Sequence, residues 1–302
     1  LMELADRIVY LEKGEIKGIY TPEEFRQLSE QERERMGLRA VDLRAVFPPK
    51  PHSIAPIPVL ELRNVTLRYK KRTILHDIGL SAGKGEVIGV VGHNGAGKTT
   101  TLRCLATLLN PTEGRISVDG FDTVKDPGEV RKRIGFLTNE IKLDAQFTVR
   151  YMFDFFGKLH NVPENELDAR RSELFSYFGI EGFADKKIEE LSTGMKQKAA
   201  IAVSLVHNPP IVIFDEPTSG LDIVTARLVT DYLKKLRDEG KLIIISTHIM
   251  SEAEKLCDRI GVIIDGHKVC DAALPEIYAM YNTDNLEDAF FEMYKANHKE
   301  VL

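Results

Sequence analysis

Two periods of apolar and polar positions alternate along this 302-residue chain, and the switches between them lay out its elements. From Val59 to Tyr69, Leu60, Leu62, Val65 and Leu67 stand among polar residues, which predicts a strand with one buried face. A second strand is predicted from Ile74 to Leu80, and further strands from Glu86 to Val91, Arg115 to Val118, Ile134 to Leu137 and Lys241 to Ser246. The run Ile211 to Phe214 is continuously apolar, as in a parallel strand buried on both faces. Helical spacing takes over from Gly97 to Leu109 and from Val224 to Glu239. Another helix, capped by Ser192, is expected to run to His207, where Pro209 and Pro210 stop it. Between 140 and 190 the aromatic-rich series Tyr151, Phe153, Phe155, Phe156 and Leu159, followed by Leu167, Leu174, Phe175 and Phe178, predicts two packed helices. Most of that aromatic stripe reads as core, with a partner groove as the alternative.

The strand ending at Val91 and the helix opening at Gly97 enclose Gly92-His93-Asn94-Gly95-Ala96-Gly97-Lys98-Thr99-Thr100, which fits the phosphate-binding pattern G-x-x-x-x-G-K-[ST]. Glycines let the chain bend so that a row of backbone N–H groups meets phosphate oxygens without Cβ clashes. Lys98 then reaches the β- and γ-phosphates and Thr99 offers its hydroxyl to Mg²⁺, while the positive end of the helix dipole faces the same phosphates. The buried strand Ile211 to Phe214 delivers Asp215 and Glu216 at its carboxyl end, where open α/β sheets bind their ligands. Lys241 to Ser246 delivers Thr247 and His248 in the same way.

Composition narrows the partners. A net charge of -5 disfavours non-specific nucleic-acid binding. Cys104, Cys257 and Cys270 are widely spaced and point to neither a zinc site nor a disulfide framework; buried reduced thiols are expected. No apolar run has the roughly 18 residues that cross a bilayer, so a soluble, cytosolic chain is expected.

Taken in order, Tyr69, the phosphate loop, Leu191-Ser192-Thr193-Gly194-Met195-Lys196-Gln197-Lys198, Asp215-Glu216, Ser219 to Asp222 and His248 resemble the motifs of an ATP-binding-cassette (ABC) transporter subunit over residues 58 to about 280. The resemblance implies an α/β P-loop NTPase fold with an antiparallel β subdomain and an α-helical signature subdomain. It also implies a Mg²⁺-dependent ATPase. In that family Tyr69 would stack on adenine, Asp215 would hold Mg²⁺ through water, Glu216 would deprotonate the attacking water and His248 would contact the γ-phosphate. Ser192, Thr193 and Gly194 would meet the nucleotide of the other subunit, with Asp222 nearby, so a homodimer or a pair with a related ABC subunit is implied. The loop reads Ser-Thr-Gly-Met where Ser-Gly-Gly-Gln is usual, and similar loops occur in exporters with a separate membrane permease, the sodium-extrusion type among them. Asn285 to Phe291 points the same way. Peripheral attachment at the cytoplasmic face of the membrane follows, with the helical region 140 to 190 receiving the permease. Where the family places a glutamine that touches Mg²⁺, this chain has Asn139, one methylene shorter; a water would fill the gap. A soluble ABC-family ATPase acting on ribosomes or DNA and a nucleotide-sensing module are the rival readings. The first usually carries two cassettes or a long coiled-coil insertion, and intact Glu216 and His248 speak against the second.

Residues 1 to 57 read as a separate extension, closed by Phe47-Pro48-Pro49-Lys50-Pro51 with Pro56 and Pro58, a composition that favours an extended linker. Leu4-x-Asp6-Arg7-Ile8, a strand, then Gly14 is similar to Leu256-x-Asp258-Arg259-Ile260, a strand, then Gly266. Pro22-Glu23 and Pro275-Glu276 follow, so the extension is expected to be the tail of another ABC domain. Residues 58–280 would form the ABC ATPase domain and 281–302 a helical tail.

Overall fold

The computed structural model describes residues 7–12, 15–29, 32, 58–138 and 143–298, divided into an N-terminal unit and a larger one that begins at Pro49. In the N-terminal unit, β1 (Ile8–Glu12) and β2 (Glu15–Tyr20) form an antiparallel hairpin, followed by α1 (Pro22–Gln27). The Glu24 carboxylate accepts from the Thr21 backbone N–H at 2.8 Å and the Thr21 hydroxyl accepts from Glu24 N–H at 3.3 Å, so the first turn of α1 is capped from both sides. Phe25 is buried against Tyr20, whereas Val9, Ile16 and Ile19 are exposed.

The larger unit is organised on a ten-stranded sheet. Its strands are β3 (Leu60–Tyr69), β4 (Arg72–Ala82), β5 (Val87–Val91), β6 (Glu113–Val118), β7 (Phe121–Asp122), β8 (Ile134–Leu137), β9 (Ile211–Asp215), β10 (Leu242–Thr247), β11 (Arg259–Ile264) and β12 (His267–Ala273), in the order β7-β6-β3-β4-β12-β11-β5-β10-β9-β8. Strands β11, β5, β10, β9 and β8 run parallel, while β7, β6, β3 and β4 pair antiparallel. The antiparallel part is continuous with the parallel part through one pairing, His76 opposite His267, whose rings stack at 4.2 Å.

The helices are α2 (Lys98–Leu105), α3 (Pro127–Arg133), α4 (Val149–Leu159), α5 (Glu164–Phe178), α6 (Thr193–Ser204), α7 (Ile223–Asp238), α8 (Met250–Leu256), α9 (Leu274–Tyr281) and α10 (Leu286–Asn297). Alternate residues of the central strands serve two different cores, because successive side chains of a strand point to opposite faces. Ile88, Val90, Ile211, Ile213, Leu242 and Ile244 meet α2 and the antiparallel strands. Val87, Val91, Val212, Phe214, Ile243 and Ile245 meet the helical side, with Phe153, Phe178 and Tyr232. Burial on both faces is why these strands read as unbroken apolar runs.

The irregular step from Leu62 to Val65 is absorbed by a register shift at Asn64, which takes φ +51. The phosphate-loop helix is shorter than its sequence pattern: α2 stops at Leu105, and Thr107 turns left-handed at φ +61. Most of the aromatic-rich series is core, as expected: Leu167, Leu174, Phe175 and Phe178 are buried and Phe156 packs against the same cluster. Phe153 is buried, but Phe147, Tyr151 and Phe155 stack in a row on the outside, with centroids 4.5 and 6.3 Å apart, and Leu159 is exposed beside them. The three cysteines are free and buried, as expected. Among the described residues no helix is long and apolar enough to cross a membrane.

Candidate functional site

Parallel register sets three strand ends side by side. Val91 at the end of β5 pairs with Thr247 of β10, and Ser246 of β10 pairs with Asp215 of β9. The phosphate loop, the Asp215-Glu216 pair and His248 therefore emerge at one edge of the sheet. The loop is shaped by its glycines: a Cβ on Gly92 would strike the Ile263 carbonyl, and Gly97, at φ +110, would meet the Leu75 side chain. Gly95 also takes positive φ, +84, in the open and beside exposed Asn94, while Ala96 is buried.

Gly97 leads into α2 without a side-chain cap, which leaves the helix N–H groups and the positive dipole end facing the loop. Lys98 is buried, and its Nζ donates to the carbonyls of Gly92 at 2.8 Å and His93 at 3.1 Å. Burial pushes the Lys98 ammonium below the ordinary lysine range, and the carboxylates of Glu216 and Asp215 work in the opposite direction. Next along the helix, the Thr99 hydroxyl donates to Asp215 Oδ2 at 2.8 Å; Thr100 is half-buried.

Asp215 and Glu216 are adjacent in sequence yet differ in setting. Asp215 is buried and accepts from the Ser246 hydroxyl as well as from Thr99. Glu216 turns left-handed at φ +49 and anchors its N–H on Ser246, at 3.1 Å to both the carbonyl and the hydroxyl. Non-glycine residues rarely take this conformation, and they do so at sites where the surroundings over-determine it. Its carboxylate points outward to His248 Nδ1, 2.8 Å away.

The signature segment lies elsewhere. Ser192 caps α6 by accepting from Met195 N–H at 3.4 Å, and Gly194 faces the start of α7, where a Cβ would sit 3.6 Å from Thr225 Oγ1 and 3.8 Å from Asp222 Oδ2. Asp222 caps α7, taking the Thr225 N–H at 3.0 Å and its hydroxyl at 2.7 Å. The Thr225 backbone N–H, then its hydroxyl, hold the Asp222 carboxyl below the usual carboxylate range. Among the described residues no hydrogen bond or ion pair carries Ser192, Thr193 or Gly194 to the phosphate loop of the same chain. Tyr69 ends β3, is 68% exposed and has Lys70 Nζ 5.7 Å from its ring centroid. Asn139 lies outside the described residues.

Other members were not evident from sequence. Ser246 serves both acidic neighbours at once. Gln197 donates to the Pro217 carbonyl at 3.0 Å, tying α6 to the loop after Glu216, and Thr218 donates to Glu252 at 2.5 Å. The His93 side chain faces away from the loop's interior toward Asp265, at 3.2 Å, and lies edge-on to Tyr294. His298, stacked on Tyr294, takes the other oxygen of Asp265 at 2.8 Å. The Gly266 N–H completes this support by donating to the Ala96 carbonyl at 2.8 Å.

A glycine-bent loop, a helix N-terminus and a buried aspartate beside an outward glutamate, all at the carboxyl ends of parallel strands, define a P-loop nucleotide-binding protein. The profile of the ABC transporter family matches residues 75–219. Over 224 residues the chain is 41% identical to the ABC transporter ATP-binding protein NatA of Bacillus subtilis, covering 73% of this chain and 91% of NatA. It is 37% identical over 218 residues to Nod factor export ATP-binding protein I of Burkholderia lata, covering 72% of each. The solved dimer of the ATP-binding cassette MJ0796, in a post-hydrolysis state bound to ADP and Pi, superposes with a TM-score of 0.65 at 30% identity, over 71% of this chain and 98% of that one. The chain belongs to the ABC transporter family, as an ATP-binding subunit.

Proposed function

We propose that this chain hydrolyses ATP to power export through a separate membrane permease, from the cytoplasmic face of the membrane. The observation that carries the reading is the pairing of Glu216 with His248 at 2.8 Å, next in sequence to the Thr99–Asp215 hydrogen bond and within electrostatic reach of Lys98. Lys98, whose protons now go to its own loop's carbonyls, has the donors to take up β- and γ-phosphate oxygens, and the uncapped N–H groups at the start of α2 face the same loop. Glu216, outward and hydrogen-bonded, accepts the proton of the attacking water, a role worth roughly 10²- to 10⁴-fold in rate. His248 holds that carboxylate and the γ-phosphate in register, and Tyr69 offers an exposed ring to adenine.

One hydroxyl and one buried carboxylate, 2.8 Å apart, suit Mg²⁺, which keeps most of its waters and takes few protein oxygens. Thr99 and Asp215 would hold it, and the ion would supply charge neutralisation at the phosphates.

Ser192, Thr193 and Gly194, at a helix N-terminus, are assigned to the γ-phosphate of a partner cassette, a second copy or a related one, so that ATP joins two cassettes head to tail. The neighbour solved as a dimer bound to ADP and Pi supports pairing of two cassettes. Export is supported by the relatives' names, and the exposed row Phe147, Tyr151, Phe155 and Leu159 is our candidate for the face that receives the permease. The test is phosphate release by the purified chain with ATP. Turnover that needs Mg²⁺, stops on chelation and is abolished with nucleotide binding in Lys98→Ala supports the reading; metal-independent turnover, or full binding by Lys98→Ala, contradicts it.

A further inference from the structure

The N-terminal unit repeats the end of the cassette pair by pair. In the first hairpin Ile8 faces Tyr20, Val9 faces Ile19 and Tyr10 faces Gly18; the register then shifts, and Leu11 faces Ile16 and Glu12 faces Glu15. In the second, Ile260 faces Ala272, Gly261 faces Asp271 and Val262 faces Cys270; the register then shifts, and Ile263 faces Lys268 and Ile264 faces His267. Laid over each other without a gap, Ile8 on Ile260, the pairs coincide one for one and the shift falls at the same step.

The helices that follow begin alike. Thr21 and Ala273 are the N-caps, and three residues on, Glu24 and Glu276 each reach back to the N-cap N–H, at 2.8 and 3.1 Å. Phe25 and Ile277, the next residues, are both buried. Strand pairing, a register shift and a helix cap are separate devices. Their coincidence in one ungapped overlay, over sequences that share few residues, is the signature of a repeated module.

The second copy shows what the module does. Strand β11 pairs in parallel with β5, from Arg259 opposite Ile88 to Val262 opposite Val91, and Asp258 accepts from Val87 N–H at 2.8 Å. It thus closes the sheet beside the phosphate-loop strand. The first copy has the same Asp-Arg-Ile entry in its sequence, but β1 belongs to a two-stranded sheet with β2. Two strands alone bury little and leave an edge of unpaired backbone groups.

We propose that residues 7–27 are the closing hairpin and helix of a second ABC cassette on the same polypeptide, with β1 pairing in parallel to that cassette's own phosphate-loop strand. The β5 strand of the present cassette is not the acceptor, because β11 and β10 already flank it, in this chain or in a second copy of it. The partner is a P-loop core that lacks any other closing hairpin. The proposal rests on the family reading of residues 58–280, but its test separates the two.

The source DNA upstream of residue 1 should continue in frame and encode G-x-x-x-x-G-K-[ST] ahead of Asp6 by about the interval from Gly92 to Asp258. A Ser-x-Gly helix start should precede Asp6 by about the interval from Ser192 to Asp258. The product of that full reading frame should bind two ATP molecules per polypeptide, and Lys98→Ala should leave one. An in-frame stop, a start codon with no phosphate loop in the interval, or a single site that Lys98→Ala abolishes would overturn the proposal. In that last case the nucleotide site of the present cassette stands.

Discussion

His93 in the phosphate loop and His298 at the end of the last helix face the two oxygens of one carboxylate, Asp265, at 3.2 and 2.8 Å. Each imidazole also has a carbonyl opposite its other ring nitrogen, Asn94 for His93 and Tyr294 for His298, at 2.9 and 3.0 Å. The last helix thereby steadies the loop from behind. His298→Ala should weaken ATP binding about fivefold, the effect of losing about 1 kcal/mol, and change the turnover rate at saturation less than that. Titration with a fluorescent ATP analogue checks the first and saturating kinetics the second. An unchanged dissociation constant would show that the contact supports the helix alone.

ATP should bring two chains together, since the helix N-terminus at Ser192 caps itself within the chain and reaches no phosphate loop of its own. Light scattering on Glu216→Gln in the 302-residue chain, which carries one phosphate loop, should report a dimer with ATP and a monomer with ADP. A monomer under saturating ATP with binding confirmed would argue against the sandwich.

Much of the site was legible because its chemistry is local. The phosphate loop is nine consecutive residues, and Asp215 and Glu216 close a run whose unbroken apolar character comes from burial on both faces. Pairings between distant segments were not legible: nothing in the sequence joins His93 to Asp265 and His298, or gives Ser246 to Asp215. Which residues of α4 stay exposed was not legible either, because helical spacing tells which residues share a face and not whether that face is covered. Register shifts at Asn64 and between Tyr10 and Leu11 were invisible as well, since they depend on the partner strand.

That uncovered face yields a prediction. In the reconstituted transporter, Tyr151→Ala with Phe155→Ala should lower transport and permease association severalfold, while the isolated chain hydrolyses ATP at the parent rate. Undiminished co-purification with the permease would move the docking surface elsewhere.

Acid sensitivity should trace partly to His207. Burial, and then the His160 ring stacked on it at 3.8 Å, lower its pKa from 6.5 to about 4. The unfolded chain therefore takes up this proton below pH 6.5 while the folded chain resists it until about 4, so stability falls as pH drops through that window. The loss should be on the order of 2–3 kcal/mol. Urea unfolding from pH 7 to 4 should show a shallower decline in His207→Gln than in the parent; parallel curves would contradict the assignment.

In the proposed mechanism Glu216 is the base that takes the proton of the attacking water. Its most direct test is phosphate release by Glu216→Gln at saturating ATP and Mg²⁺, measured beside ATP binding by the same protein. Binding within a few-fold of the parent, with turnover reduced by roughly 10² or more, is the predicted result. Hydrolysis at close to the parent rate would contradict it.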